Sequence, residues 1–143
     1  MDLDPRIRRL FEDRNFAHLA TLMKDGSPHV APIWITIDGQ CILLVKETSA
    51  VALANLRRDP RAAISITSVE DPYAGAYVRG RAVDFREGEV ATELVHALAK
   101  QYTGAPYRDP DAALAMVVIE IERAALSRTI DLKHSPPAEA PQI

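Results

Sequence analysis

The side chains with the most chemistry to offer gather in the middle of the chain. Lys46-Glu47-Thr48-Ser49 brings a cation, a carboxylate and two hydroxyls to the start of a short alanine-rich segment. A helix starting at Thr48-Ser49 leaves free backbone N–H groups beside those hydroxyls, which suits a phosphate or carboxylate. The same pair is also an ordinary helix N-cap. Arg57-Arg58 closes the segment, where two guanidinium groups either reach an anionic ligand or complement the helix dipole. Upstream, His29 follows a hairpin and offers a proton donor or a surface imidazole. Pro32 removes one ladder donor from its strand, so pairing there is at an edge or interrupted. Trp34 is the only tryptophan, and its mid-strand place favours a core or subunit-interface role over stacking on a substrate. Arg79 and Arg81 flank Gly80 on one strand face, either solvated or reaching across an interface to an anion. Tyr102 and Tyr107 are candidates for a substrate pocket, although Tyr102 also completes the apolar stripe of a helix.

Counting removes most other chemistry. The six glycines, at 26, 39, 75, 80, 88 and 104, form neither a dinucleotide fingerprint nor a P-loop. The histidines at 18, 29, 96 and 134 never pair at metal-ligand spacing, and one cysteine cannot complete a structural zinc site. No G-x-S-x-G elbow is present. Cys41 opens an apolar run and reads as a core residue. No residue is therefore assigned as catalytic or as a metal ligand, and hard chemistry is left to a cofactor.

These residues need a frame, and the length supplies one: 143 residues suit one compact domain. Seventeen basic residues spread among twenty acidic ones, net charge −3, argue against nucleic acid or an acidic membrane surface as a partner. The longest wholly apolar run, Ala112 to Ile119, is far short of a membrane span. The opening MDLDPRIRRLFED lacks the apolar stretch of a secretory signal, and a single cysteine allows no internal disulfide. The expectation is a cytoplasmic protein.

Asp4-Pro5 starts a helix with Ile7, Leu10 and Phe11 on one face, ending near Arg14-Asn15. Strands follow over Phe16–Met23 and Pro28–Ile37, joined by an Asp25-Gly26 turn, and a third over Gln40–Lys46 after Asp38-Gly39. The short helix runs through Leu56 and is stopped by Asp59-Pro60. Arg61–Ser68 alternates as a strand, and Ala74–Phe85 is a long strand with a bulge expected at Gly80. Glu87–Tyr102 carries Val90, Leu94, Leu98 and Tyr102 at helical spacing. The last strand, Ala113–Arg123, points Ala115, Val117, Ile119 and Ile121 inward. The segment from Asp131 onward has no periodicity. This order of antiparallel strands with short helices at the corners predicts a small closed or split barrel.

Four segments in this order, NFAHLATLMKDGSPHVAPIWITIDG, NLRRDPRAAISI, YVRGRAVDF and AKQYTGAPYRDPDAALAMVVIEIERA, resemble the pyridoxamine 5′-phosphate oxidase-like split-barrel superfamily. Within it, they are most similar to the actinobacterial branch that uses the 8-hydroxy-5-deazaflavin coenzyme F-420 in place of FMN. The resemblance implies a mainly β protein, a six-stranded antiparallel split β-barrel of the FMN-binding type, over residues 1–130, with an irregular tail at 131–143. It implies a homodimer with cofactor sites at the interface and a small-molecule substrate. It places the cofactor ring against His29, Val30, Ala31, Pro32 and Ile33, where strand N–H and C=O groups freed by Pro32 address its polar edge. The phosphate end falls at Lys46, Glu47, Thr48 and Ser49, with Arg57 nearby.

One departure stands out. Three residues before Asn55 the family has a phosphate-binding lysine, and this chain has Ala52. The expected function is hydride transfer from reduced coenzyme F-420 to a small organic acceptor. The alternatives are an FMN-binding flavoprotein or oxidase of the same fold and a non-catalytic flavin or haem carrier.

Overall fold

The computed structural model describes residues 2–109 and 111–127. The tail at 131–143, with the domain limit at 130, lies outside them. Helix α1 (Pro5–Glu12) starts where the Asp4 carboxylate accepts the Arg6 N–H at 2.9 Å, and it buries Ile7, Leu10 and Phe11. Strand β1 (Phe16–Leu22) turns at Gly26, φ 87°, into β2 (Pro28–Ile33). Next come β3 (Thr36–Asp38) and β4 (Cys41–Glu47), then α2 (Val51–Arg58), β5 (Arg61–Thr67) and β6 (Gly75–Glu87). Helix α3 (Glu89–Thr103) and strand β7 (Leu114–Leu126) complete the order. The strands form one antiparallel sheet, β2-β1-β5-β6-β7-β4-β3.

The mainly β, antiparallel architecture agrees with expectation, but the sheet has seven strands and not six. The stretch expected as one strand, Pro28–Ile37, breaks at Trp34-Ile35. There the buried Tyr102 hydroxyl lies 3.3 Å from both the Ile35 N–H and the Ile35 carbonyl, in place of a neighbouring strand. The same hydroxyl donates to the Asn15 carbonyl at 2.7 Å. The halves consequently lie at opposite ends of the sheet, yet only two residues separate them in sequence. A link that short spans roughly 10 Å, so the sheet must curl until its ends meet. Among the described residues no strand pairing closes it. What remains between β2 and the far half of β4 is a split.

Two further expectations are corrected. Thr48-Ser49 does not cap α2; Ala50 occupies that position, with no side-chain bond. The Thr48 N–H instead donates to the Ala113 carbonyl at 2.9 Å, which carries the β4–β7 pairing one residue further and delays the helix. On α3 the buried stripe is Ala91, Val95, Leu98, Ala99 and Tyr102, while Val90 is exposed. The bulge expected at Gly80 is present as a register shift between Arg79 and Gly80, with Glu122 of β7 the extra residue opposite them, and a second shift leaves Val83 extra on β6. Gly80 has a different reason for being glycine, because a Cβ there would strike the Glu120 carbonyl oxygen.

The core fills the inside of the curled sheet with Leu19, Ile64, Ile66, Val78, Val117, Ile119, Ile42 and Leu44, closed by α1 and α2. Asn55 pins α2 to the sheet. Its buried amide donates to Thr21 Oγ1 at 3.0 Å, and Arg58 bonds both Asn55 Oδ1 at 2.9 Å and the Leu22 carbonyl at 2.6 Å. Ala52, where the family lysine is missing, is buried in this core.

Candidate functional site

The split in the sheet is a cleft of about 490 Å³. Pro32, Ile33 and Trp34 form one rim as β2 ends. Val45, Lys46 and Glu47 of β4, with Ala50, form the other. Phe16 and Tyr107 flank the opening, while Val95, Leu98 and Leu114 of α3 and β7 make the floor. Most of this wall is apolar, and its polar groups sit at the rims, as in small-molecule sites.

Both rims are sheet edges. β2 is the end strand, and Pro28 and Pro32 carry no N–H. β3 pairs only with Cys41–Leu43, so beyond Leu43 that side of β4 has no partner strand among the described residues. Backbone donors and acceptors are thus available along the cleft.

Lys46 is the cation of the site. It is half-buried, and no carboxylate within 4.0 Å pairs with it among the described residues. Burial pushes its ammonium below the usual lysine value of 10.5. Such a group is a candidate anion partner. The uncapped start of α2, at Ala50, lies on the same cleft and adds the positive end of a helix dipole. Burial, then the charges of Glu47 and Asp109, raise the Tyr107 phenol, which stays a hydrogen-bond donor at neutral pH.

Of the residues expected from the sequence, Pro32, Ile33, Lys46 and Glu47 meet in this cleft. His29, Val30 and Ala31 share β2 but lie outside its lining; Val30 is 63% exposed and His29 Nδ1 is buried with no hydrogen-bond partner among the described residues. Thr48 and Ser49 are exposed just beyond the rim. Arg57 is not part of the lining, and its guanidinium lies 4.7 Å over the Phe85 ring and 4.0 Å from Glu87. Sequence reasoning misses Phe16, Val95, Leu98 and Leu114, since apolar residues on regular elements give no signal that a split will expose them. Among the described residues no group of three or more His, Cys, Asp or Glu side chains is placed to hold a metal. No helix among them is long and apolar enough to cross a membrane.

A curled antiparallel sheet, split along a cleft that combines apolar walls with a cation unpaired among the described residues, defines the class. The family profile of pyridoxamine 5′-phosphate oxidase matches residues 3–128, and the chain belongs to this family. Among solved structures it is similar to an F-420 reductase, with 24% identity, TM-score 0.77, and coverage of 86% of this chain and 98% of that one. It is equally similar to the conserved hypothetical protein Rv2991 of Mycobacterium tuberculosis, with 24% identity, TM-score 0.75, and coverage of 98% and 94%. HupZ of Group A Streptococcus shares the fold at 18% identity and TM-score 0.64, over 86% of this chain and 92% of that one. These likenesses establish the fold. No curated protein matches the chain.

Proposed function

We propose that the protein is a cofactor-dependent oxidoreductase that binds the deazaflavin coenzyme F-420 in the split-barrel cleft and uses it on a small organic acceptor. The observation that carries this reading is Lys46, a half-buried ammonium without an ion-pair partner among the described residues, facing an apolar cleft between two unpaired strand edges. An aromatic ring system with a polar edge and an anionic tail fits that donor set. Lys46 and the α2 start would hold the anionic part, with Thr48 and Ser49 beside them. The edge of β2 from His29 to Ile33 would face the ring, and Arg57 would meet the tail if it leaves the cleft along α2. When bound, the reduced coenzyme supplies a hydride to an activated double bond. The protein's own part is to orient the ring on the apolar floor, exclude water, and offer the Tyr107 hydroxyl as a proton-bearing group at the rim.

The similarity to an F-420 reductase favours the deazaflavin; family membership favours FMN as the second reading. Ala52 removes a cation expected for a phosphate, and this weighs toward a cofactor held differently or toward a carrier without turnover. A homodimer is part of the proposal. The outer sheet face exposes Phe16, Val30, Tyr77 and Val83, and Val30, Ala20 and Ala63 lie side by side on three neighbouring strands. Sedimentation at micromolar concentration checks this, and a strict monomer would remove the interface from the account. Calorimetric titration with F-420, FMN and haem in turn assigns the cofactor. Saturable binding of F-420 at one site per subunit, with subsequent reduction of an acceptor, supports the enzyme, whereas haem binding alone supports the carrier.

A further inference from the structure

A second cavity, of about 460 Å³, adjoins the first and shares two walls with it, Trp34 and Tyr107. Ala99 and Thr103 of α3 and the loop from Ala105 to Asp109 complete its lining. We propose that this cavity is the acceptor subsite and that it takes a small, planar, conjugated molecule carrying an anionic group. The role as acceptor subsite rests on the function proposed above; the binding preference does not.

Three observations support it. First, Trp34 is a fixed platform. Its ring stacks on Tyr102 with centroids 5.6 Å apart and planes within 9°, and the Tyr102 hydroxyl is tied to Asn15 and Ile35. That anchoring breaks the strand at Trp34-Ile35, so the indole belongs to the junction between the cavities and not to the core. A planar ligand can stack on such a held ring at little entropic cost.

Second, the loop is built and not loose. Gly104 ends α3 with φ 77°, the Thr103 hydroxyl donates to the Ala99 carbonyl at 2.7 Å, and it accepts the Ala105 N–H at 3.2 Å. The Tyr107 N–H donates to His96 Nδ1 at 3.2 Å. The Asp109 carboxylate is occupied by the Asp111 N–H at 3.1 Å.

Third, this leaves Arg108 as the lining cation. It has no carboxylate within 4.0 Å and no side-chain hydrogen bond among the described residues. Indole and phenol walls with proline and alanine between them select a flat ligand, and a guanidinium with no carboxylate partner among the described residues selects a carboxylate or a similar anion.

Trp34 is the only tryptophan, so its emission reports on this junction alone. The probe is 4-nitrobenzoate, whose nitroaryl ring quenches indole on contact, compared with neutral 4-nitrobenzamide. Both are titrated into the full-length protein without cofactor and again with saturating F-420. The expected result is saturable quenching with the anion preferred by about fivefold to tenfold. In Arg108→Gln that preference should fall to within about twofold. In Trp34→Leu, followed by calorimetry, both probes should weaken equally. Binding of 4-nitrobenzoate should persist when F-420 is present.

Linear, non-saturating quenching would overturn the inference, as would equal affinity for the two probes, an unchanged preference in Arg108→Gln, or competition with F-420. If F-420 does not bind but 4-nitrobenzoate binds with the stated preference, the subsite stands and the cofactor reading falls.

Discussion

Replacing Lys46 with methionine should move stability and ligand affinity in opposite senses. The stem keeps its length and its packing against the cleft, so the substitution removes mainly the charge. In the free protein the ammonium is half-buried and has no ion-pair partner among the described residues, and burial lowers its pKa from 10.5. The unfolded state then binds more protons than the folded one between the lowered pKa and 10.5, so stability rises with pH across that window. Below the window the penalty of holding the charge is fully present. Lys46→Met removes it, and the melting temperature at pH 7 should stay level or rise. Binding should respond in reverse. A charge-assisted hydrogen bond at a half-exposed site contributes about 1.5–2 kcal/mol, so the anionic cofactor should bind roughly 10- to 30-fold more weakly. Wild-type affinity should fall as pH climbs through the lowered lysine pKa, below 10.5, and the variant should show a flat alkaline profile. Calorimetric titration between pH 7 and 10 with thermal melts on the same samples reads both effects. Unchanged affinity, or an equal loss of stability and binding, would refute the reasoning.

Other substitutions test the frame around the cleft. Gly80→Ala sets a methyl group against the Glu120 carbonyl and 3.0 Å from Ile119 Cγ2, and backbone cannot move aside as a side chain can. It should cost about 3 kcal/mol, seen as a lower urea midpoint; a neutral result would mean that β6 and β7 are further apart. Tyr102→Phe keeps the ring stack but leaves the buried Ile35 N–H without its acceptor, which should cost about 1–3 kcal/mol and shift Trp34 emission to the red. An unaltered emission maximum would deny the hydroxyl its role at the corner. The Cys41 thiol is pushed up by burial and by Glu120 and Asp38, so at pH 8 a disulfide reagent should label it more slowly than a free cysteine, with acceleration in denaturant. Equal rates folded and unfolded would contradict that placement.

Where neighbours in sequence decide the outcome, the residues were readable. Asp25-Gly26 and Asp38-Gly39 turn the backbone where expected, Asp4-Pro5 opens α1, and the alternation of Ala62, Ile64 and Ile66 puts them inside. The misses come from distant partners. Nothing between Pro28 and Ile37 announces a break, because the hydroxyl that makes it is 67 residues away on α3. Thr48 looks like a cap until Ala113 draws its N–H into the sheet. The cleft divides in the same way. Pro32 and Lys46 stand out as types, a donorless residue in a strand and a cation before a helix. Val95, Leu98 and Leu114 look like core in any pattern, and only the curl of the sheet leaves them at the floor of a split. Trp34 reads as interior from its strand position and becomes a shared wall once the strand is broken.

The most direct test of the account is equilibrium titration of the purified full-length protein with oxidised F-420 and separately with FMN, followed by calorimetry and by Trp34 emission. Low-micromolar binding of F-420 at one site per subunit is expected, with Trp34 emission changing in step because its ring borders the cleft. Binding of neither cofactor, or binding that leaves Trp34 unaffected, would contradict a cofactor seated between β2 and β4.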